Sequence, residues 1–114
     1  MAAGGDRQRR GRLGEEMAAT ALAMAGWIIV ARNHRILGLE IDLLARDPSW
    51  QLVAVEVRRR GTVGDSSPLQ LLGARKSAAL RRQRDALPAL DRVDLLLVLG
   101  PDGNERLRLI RGMA

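Results

Sequence analysis

The chain contains 114 residues, of which 46% are hydrophobic. That length suits one domain with a packed core rather than two. Lysine and arginine number 19 against 13 acidic residues, so the net charge is +6, which favours a polyanionic partner such as nucleic acid. GC-rich coding, which also favours arginine, alanine and glycine, would give the same excess. Cysteine is absent, which excludes thiolate metal sites, disulfides and a cysteine nucleophile.

Apolar and aromatic residues narrow the classes of partner further. No stretch approaches the roughly 20 apolar residues of a membrane span, and no secretory signal is recognisable near the N-terminus. We therefore expect a cytoplasmic protein with no membrane partner. Only Trp27 and Trp50 are aromatic, which is too few for a base-stacking platform, so contacts to nucleic acid would be to its backbone and shape.

The first predicted elements are a basic arm and a helix. Residues 1–12 are small, polar and basic, and we expect a flexible arm there, followed by a single domain over residues 13–114. The alanine-rich run from Leu13 to Ala25 predicts a helix, because its apolar residues recur at steps of three and four. Gly26 is the expected C-cap residue.

Three strands are predicted next, with turns around Asn33–His34 and at Asp47–Ser49 between them. They span Trp27–Ala31, Glu40–Arg46 and a run from Trp50 or Gln51 to Arg59. The second and third of these strands would form a hairpin.

The second half of the chain predicts one helix and two strands. After a loop at 61–68 that contains glycine and serine, the pattern is helical over Leu69–Leu87 and ends before Pro88. Val93–Leu99 is a nearly continuous apolar run, typical of a central strand, and Glu105–Arg111 alternates like an edge strand. The order α-β-β-β-α-β-β indicates an α/β fold in three layers, with a mixed sheet of about five strands flanked by helices.

The best candidate site is formed by acids that interrupt two of these strands. Side chains alternate along a strand, so Glu40 shares a face with Asp42, and Glu56 shares one with Arg58. The hairpin would bring Asp42 and Glu56 close enough to hold one Mg²⁺, which binds hard oxygen ligands and keeps several waters. Such an ion polarises a phosphodiester and activates water, and Arg58 would stand where phosphate charge develops.

Each of these residues also has a plainer interpretation. Asp42, Glu56 and Arg58 can form an arginine–carboxylate ion pair on a sheet face, and Glu40 suits a solvated strand start. His34, the only histidine, is expected to be exposed. The basic residues of the second helix suit either a solvated face or contacts to a DNA backbone. Those that we assign to nucleic-acid binding are Arg75, Lys76 and Arg82.

The spacing of Asp42 from Glu56-x-Arg58 has the shape of the PD-(D/E)xK nuclease motif, and the predicted elements around it agree. Over a longer stretch, from about Leu13 to Leu99, the chain resembles the bacterial YraN family, whose fold is similar to that of archaeal Holliday-junction resolvases. The segments that carry this resemblance are Gly14–Ala19, Gly26–Trp27, Arg32–Asn33, Glu40–Ala45 and Val55–Arg58.

This resemblance implies a restriction-endonuclease-like fold and a site with four catalytic positions. Glu15 on the first helix would be an additional acid near the metal, Asp42 and Glu56 would bind Mg²⁺ or Mn²⁺, and Arg58 would take the lysine position. The resemblance also implies a DNA substrate, branched or under repair, and a homodimer, because a junction is two-fold symmetric.

Arg58 stands where the family has lysine, and this difference leaves more than one function open. A lysine can give up a proton and orient a water, whereas an arginine effectively cannot. One hypothesis is a metal-dependent DNA endonuclease. The others are a non-catalytic nucleic-acid-binding module with a degraded site, and a protein-interaction subunit on the same fold.

Overall fold

The structure is a computed structural model that describes residues 2–36, 38–60 and 74–114, with side chains described at 11–35, 38–60 and 77–114. Within these ranges lie two helices and five strands. They are α1 (Ala2–Met24), β1 (Ile28–Ile36), β2 (Leu39–Arg46), β3 (Leu52–Arg60), α2 (Ala74–Ala86), β4 (Arg92–Leu99) and β5 (Arg106–Ile110). The predicted α/β class, mixed sheet and element order are confirmed.

Two boundaries differ from the predicted ones. Helix α1 begins at Ala2 rather than Leu13, because the arginines and glutamine of residues 7–10 are good helix formers. Strand β1 continues to Ile36, so the predicted turn at Asn33–His34 is wrong and the chain turns near Gly38, whose φ is 77°. The division into an arm over 1–12 and a domain over 13–114 stays a prediction.

Some predictions fall outside the described residues. The loop predicted at 61–68 and the first part of the helix predicted from Leu69 lie there, and so do the side chains of Arg75 and Lys76. No helix in the part of the chain that the structure describes is long and apolar enough to cross a membrane.

The sheet has the strand order β1-β2-β3-β4-β5, with β3 and β4 parallel and the other neighbours antiparallel. The predicted hairpin of β2 and β3 is confirmed. Strand β4 is buried from Val93 to Val98, as a strand covered on both faces should be. Helix α1 packs on one face of the sheet and α2 on the other, which gives the core two apolar clusters.

Small residues let α1 lie close to the sheet. Gly14 is buried, and a Cβ atom at this position would lie 3.9 Å from both Arg59 Cβ and Val98 Cγ2. Ala18 and Ala19 follow on the buried side of the helix. The C-terminal half of α1 is therefore held against the sheet, which sets the position of Glu15, the residue after Gly14.

A network of charges joins the turn after β2 to the start of β4. Arg92 Nη1 donates to Asp47 Oδ2 at 2.7 Å and to Gln51 Oε1 at 2.6 Å, and Arg92 Nε donates to Asp94 Oδ1 at 3.0 Å. The guanidinium also lies 5.6 Å from the ring centroid of Trp27. Burial alone would raise the pKa of Asp47, but its hydrogen bonds from Arg92 and from backbone amides lower it. We call this set the Arg92 network.

We predict that Arg92→Met lowers the free energy of unfolding by about 3–5 kcal/mol, because Asp47 and the fully buried Asp94 would lose the cation that pairs with them. Urea denaturation at neutral pH measures the change. Arg46→Met is the matched control, since Arg46 contacts the exposed Trp50 at the same end of the sheet and should change stability by less than about 1 kcal/mol. Equal losses in the two variants would contradict the importance of the network.

Candidate functional site

The candidate site lies where β2 and β3 stop pairing with each other. Their register runs from Arg46↔Leu52 to Leu43↔Val55, and beyond it β2 continues to pair with β1 while β3 continues to pair with β4. The two strands therefore separate into a fork, formed by residues 39–42 of β2 and 56–60 of β3. Asp42 stands at the point of separation, and its Oδ2 accepts a hydrogen bond from Val57 N at 2.9 Å.

This hydrogen bond fixes the Asp42 side chain. The amide of Val57 faces away from β4's ladder at a position where β2 no longer supplies a backbone acceptor, and the carboxylate takes that place. A buried N–H without an acceptor is costly, so the local fold itself requires a carboxylate or amide oxygen here. Asp42 is half-buried and lines an open cavity.

Glu56 lies one residue before Val57 and is only 3% exposed. Arg58 Nη2 lies 3.6 Å from Glu56 Oε1, which is a charge contact longer than a hydrogen bond. Strand alternation predicted this proximity, and an arginine–carboxylate pair was the plainer interpretation of these two residues. The pair is present, and Arg58 keeps part of its surface accessible.

A cavity of about 460 Å³ opens at the fork. Helix α1, both arms of the fork and the turn between β4 and β5 contribute to its wall. It is lined by Gly11, Gly14, Glu15, Asp42, Val57, Arg58, Arg59, Arg60, Gly100, Pro101 and Asp102. The structure thus brings three of the four predicted catalytic residues, Glu15, Asp42 and Arg58, to one cavity. The fourth, Glu56, is buried and is not among the lining residues.

The carboxylates in this cavity repel one another. The pKa of Glu15 is raised, first by burial and then by the negative charges of Asp42 and Glu40. A hydrogen bond from Asn33 and the charge of Arg32 act in the opposite direction. Glu15 and Asp42, which are far apart in sequence, are therefore close enough to interact electrostatically. The role of Glu15 as an additional acid near a metal stays a prediction.

Sequence reasoning assigned Asn33 to a turn, and the structure places it at the site instead. With its amide oriented to donate, Asn33 Nδ2 lies 3.2 Å from Glu15 Oε2 and 3.2 Å from Glu40 Oε1. Glu40 is an exposed strand-start charge, as expected, and its Oε2 lies 3.6 Å from Arg35 Nη2. The signal that could have identified Asn33 was its place in the Arg32–Asn33 segment shared with the family.

The donor set can be compared with the needs of a hard cation. Among the residues that the structure describes, no group of three or more histidine, aspartate or glutamate side chains could hold one metal ion. Mg²⁺ needs only one or two carboxylates, because it keeps several of its waters. Glu15 and Asp42 fit that requirement, since an ion between them would relieve their repulsion. The predicted pairing of Asp42 with Glu56 as metal ligands stays a prediction.

Helix α2 is hydrogen-bonded to the β2 side of the fork, which carries Asp42. Gln83, which is buried, donates from Nε2 to the backbone oxygen of Glu40 at 2.9 Å. Its neighbour Arg82 is exposed and lines a shallow cavity together with Leu39. Of the three residues assigned to nucleic-acid binding, Arg82 is the one whose side chain is described. It lies on the helix that is hydrogen-bonded to the β2 side of the fork.

Arg59 fixes another part of the cavity wall. Its Nη2 donates to Glu105 Oε2 at 2.6 Å and to Asp102 Oδ1 at 2.8 Å, which holds the turn between β4 and β5 against β3. Two carboxylates thus offset the charge of this arginine. Arg58, the residue before it, lies within 3.6 Å of Glu56 instead.

We predict that Glu15→Gln increases the free energy of unfolding at neutral pH. A carboxyl group whose pKa is raised in the folded state favours folding below its unfolded pKa and loses that advantage as the pH rises through the folded value. At pH 7 the ionised Glu15 therefore opposes folding, and the neutral amide removes that effect. Urea denaturation at pH 7 and below pH 4 measures the difference, which should disappear at the lower pH.

Glu16→Gln is the control for this prediction, since Glu16 is the next residue on α1 and is exposed. Its effect should be small at both pH values. A loss of stability in Glu15→Gln at pH 7 would contradict the repulsion inferred for the cavity.

Comparison with known proteins places the chain in a family. The model of the uncharacterised protein family UPF0102 matches residues 14–98. A UPF0102 protein of Symbiobacterium thermophilum is 39% identical over 112 residues, covering 91% of this chain and 94% of the relative. One from Deinococcus radiodurans is 37% identical over 111 residues, covering 89% of each chain. One from Acidothermus cellulolyticus is 45% identical over 76 residues, which are 67% of this chain and 57% of the relative.

The match spans the helix, the fork and the central strands on which the candidate site is built. It also confirms the family that the sequence motifs indicated, because YraN and UPF0102 are two names for it. The protein belongs to the UPF0102 family.

Proposed function

We propose that the protein binds DNA and hydrolyses phosphodiester bonds in branched or repair intermediates, with Mg²⁺ or Mn²⁺ as cofactor. The observation that carries this proposal is the convergence of Glu15, Asp42 and Arg58 on one cavity at the fork. Two acids that repel each other can bind a cation, and a neighbouring guanidinium can bind a phosphate.

Each side chain would have a separate task. Asp42, fixed by Val57 N, and a second carboxylate from Glu15 or Glu56 would hold the cation, which when bound supplies Lewis-acid polarisation of a phosphate oxygen. Arg58 would stabilise the charge that develops on the phosphate. A guanidinium is a very poor general base, so the proton of the attacking water needs another acceptor. Glu15 suits that task, because a raised pKa makes its carboxylate the better base.

The partner would be nucleic acid, contacted through its backbone. The net charge of +6 favours a polyanion, and the assigned contacts on α2 are Arg75, Lys76 and Arg82. A two-fold symmetric junction would be served by a homodimer, and the proposed location is the cytoplasm.

A second candidate function is a DNA-binding module that does not cleave. The observation that favours it is the contact between Arg58 and Glu56, because a permanent cation beside this buried carboxylate competes with a metal ion for its charge. In this case binding would be salt-sensitive and independent of divalent metal.

We predict Mn²⁺- or Mg²⁺-dependent cleavage of at least one branched, flapped or single-stranded DNA, reduced at least about 100-fold in Asp42→Asn. Asparagine keeps an oxygen for Val57 N and removes the charge, so the variant should remain folded. Glu16→Gln serves as the control and should cleave like the natural chain. Salt-sensitive binding with no cleavage of any of these substrates would support the second candidate, and cleavage unchanged in Asp42→Asn would contradict the proposed site.

Arg58→Lys separates the two candidates more sharply. If arginine alone has silenced the site, the lysine variant should gain cleavage, because lysine can release a proton and leaves the carboxylate of Glu56 less tightly neutralised. If the natural chain already cleaves through Glu15, the substitution should change the rate modestly. Arg46→Lys, at the opposite end of β2, is the control for a general effect of replacing arginine.

A further inference from the structure

Asn33 lies directly across from Asp42 in the pairing of β1 with β2. The flanking pairs Arg32↔Leu43 and His34↔Ile41 place it there, and the only register shift recorded between these strands lies earlier, between Ile29 and Ala31. Its φ of 49° is nevertheless left-handed, which is unusual within a paired strand. Asparagine adopts this region more readily than most residues, because its short polar side chain bonds locally.

The side chain of Asn33 reaches two carboxylates at once. One amide nitrogen carries two hydrogens, and it lies 3.2 Å from an oxygen of Glu15 and 3.2 Å from an oxygen of Glu40. Glu15 comes from α1 and Glu40 from the start of β2. The amide therefore joins two elements that have no covalent connection near this point, and it does so between two groups of like charge.

Without the Asn33 amide, the side chain of Glu15 would be free to move away from Asp42. Mutual repulsion with Asp42 and Glu40 acts in that direction, and Arg32 is the cation that opposes it. A neutral donor can hold a carboxylate in place without cancelling its charge. An arginine or lysine at this position would neutralise the acids and compete with any bound cation.

We infer that Asn33 is a positioning residue, whose side-chain amide bridges Glu15 and Glu40 and holds the Glu15 carboxylate beside Asp42. The inference rests on the proposed function in one respect, namely that the positioned carboxylate serves a metal site. The bridge itself is a property of the metal-free protein, so the two can be tested separately.

Glycine and aspartate substitutions at Asn33 distinguish the contribution of the side-chain amide from that of the left-handed backbone conformation. Asn33→Gly keeps access to the left-handed region and removes the amide. Asn33→Asp keeps the size of the side chain and replaces the donor with a third negative charge. Asn104→Gly is a matched control, because Asn104 is an exposed asparagine in the turn between β4 and β5 and does not line the cavity.

The first measurement is the NMR chemical shift of the Asn33 side-chain amide. It is recorded in the metal-free natural chain and in the metal-free Glu15→Gln variant. A donor bonded to Glu15 should shift clearly when the acceptor loses its charge, while the side-chain amide of Asn104 should not. An unchanged Asn33 amide would overturn the bridge, whatever the protein does to DNA.

The second measurement is the affinity for Mn²⁺ by isothermal titration calorimetry. Loss of a group that orients a metal ligand weakens binding by about 10–100-fold, and we expect this range for Asn33→Gly with no change for Asn104→Gly. Equal affinity of Asn33→Gly and the natural chain would overturn the positioning role while leaving the proposed metal site intact. A natural chain that binds no Mn²⁺ would instead refute the metal site, and the amide resonance would then decide the bridge alone.

Discussion

The separation of β2 from β3 is the feature on which the candidate site depends. Backbone pairing between the two strands ends at Leu43↔Val55, and the carboxylate of Asp42 bonds the amide of Val57 just beyond that point. Both strands keep their outer partners, so the sheet opens without ending. The cavity, the placement of Arg58 and the approach of Glu15 all follow from this fork. Gly14 lies where α1 faces β3 and β4, and a Cβ there would be in ordinary van der Waals contact with Arg59 and Val98.

The two ends of the β2–β3 hairpin use charge in opposite ways. At the turn end, the buried acids Asp47 and Asp94 are paired with Arg92, so charge stabilises the fold there. At the fork, burial and the negative charges of Asp42 and Glu40 raise the pKa of Glu15. Carboxylates that lie close together keep an unfavourable interaction that a ligand can relieve. This contrast favours a functional interpretation of the fork and a structural one for the Arg92 network.

Much of the fold follows from patterns that are visible in the sequence. Apolar runs and alternation predicted all five strands, and the continuous run before Leu99 predicted a strand covered on both faces. Strand periodicity also predicted that Glu56 and Arg58 are neighbours. The cavity could not be predicted, because side-chain alternation does not indicate where two strands stop pairing. Asn33 was missed for a related reason: asparagine is typical of turns, and a left-handed residue inside a continuing strand leaves no periodic signal.

We propose that the fork holds a divalent cation at Asp42. The most direct measurement is a crystal structure of the protein soaked in Mn²⁺, with anomalous scattering used to locate the metal. We expect an anomalous peak in the cavity within coordination distance of an Asp42 oxygen and of one further carboxylate, from Glu15 or Glu56. A cavity without such a peak at saturating Mn²⁺ would contradict it.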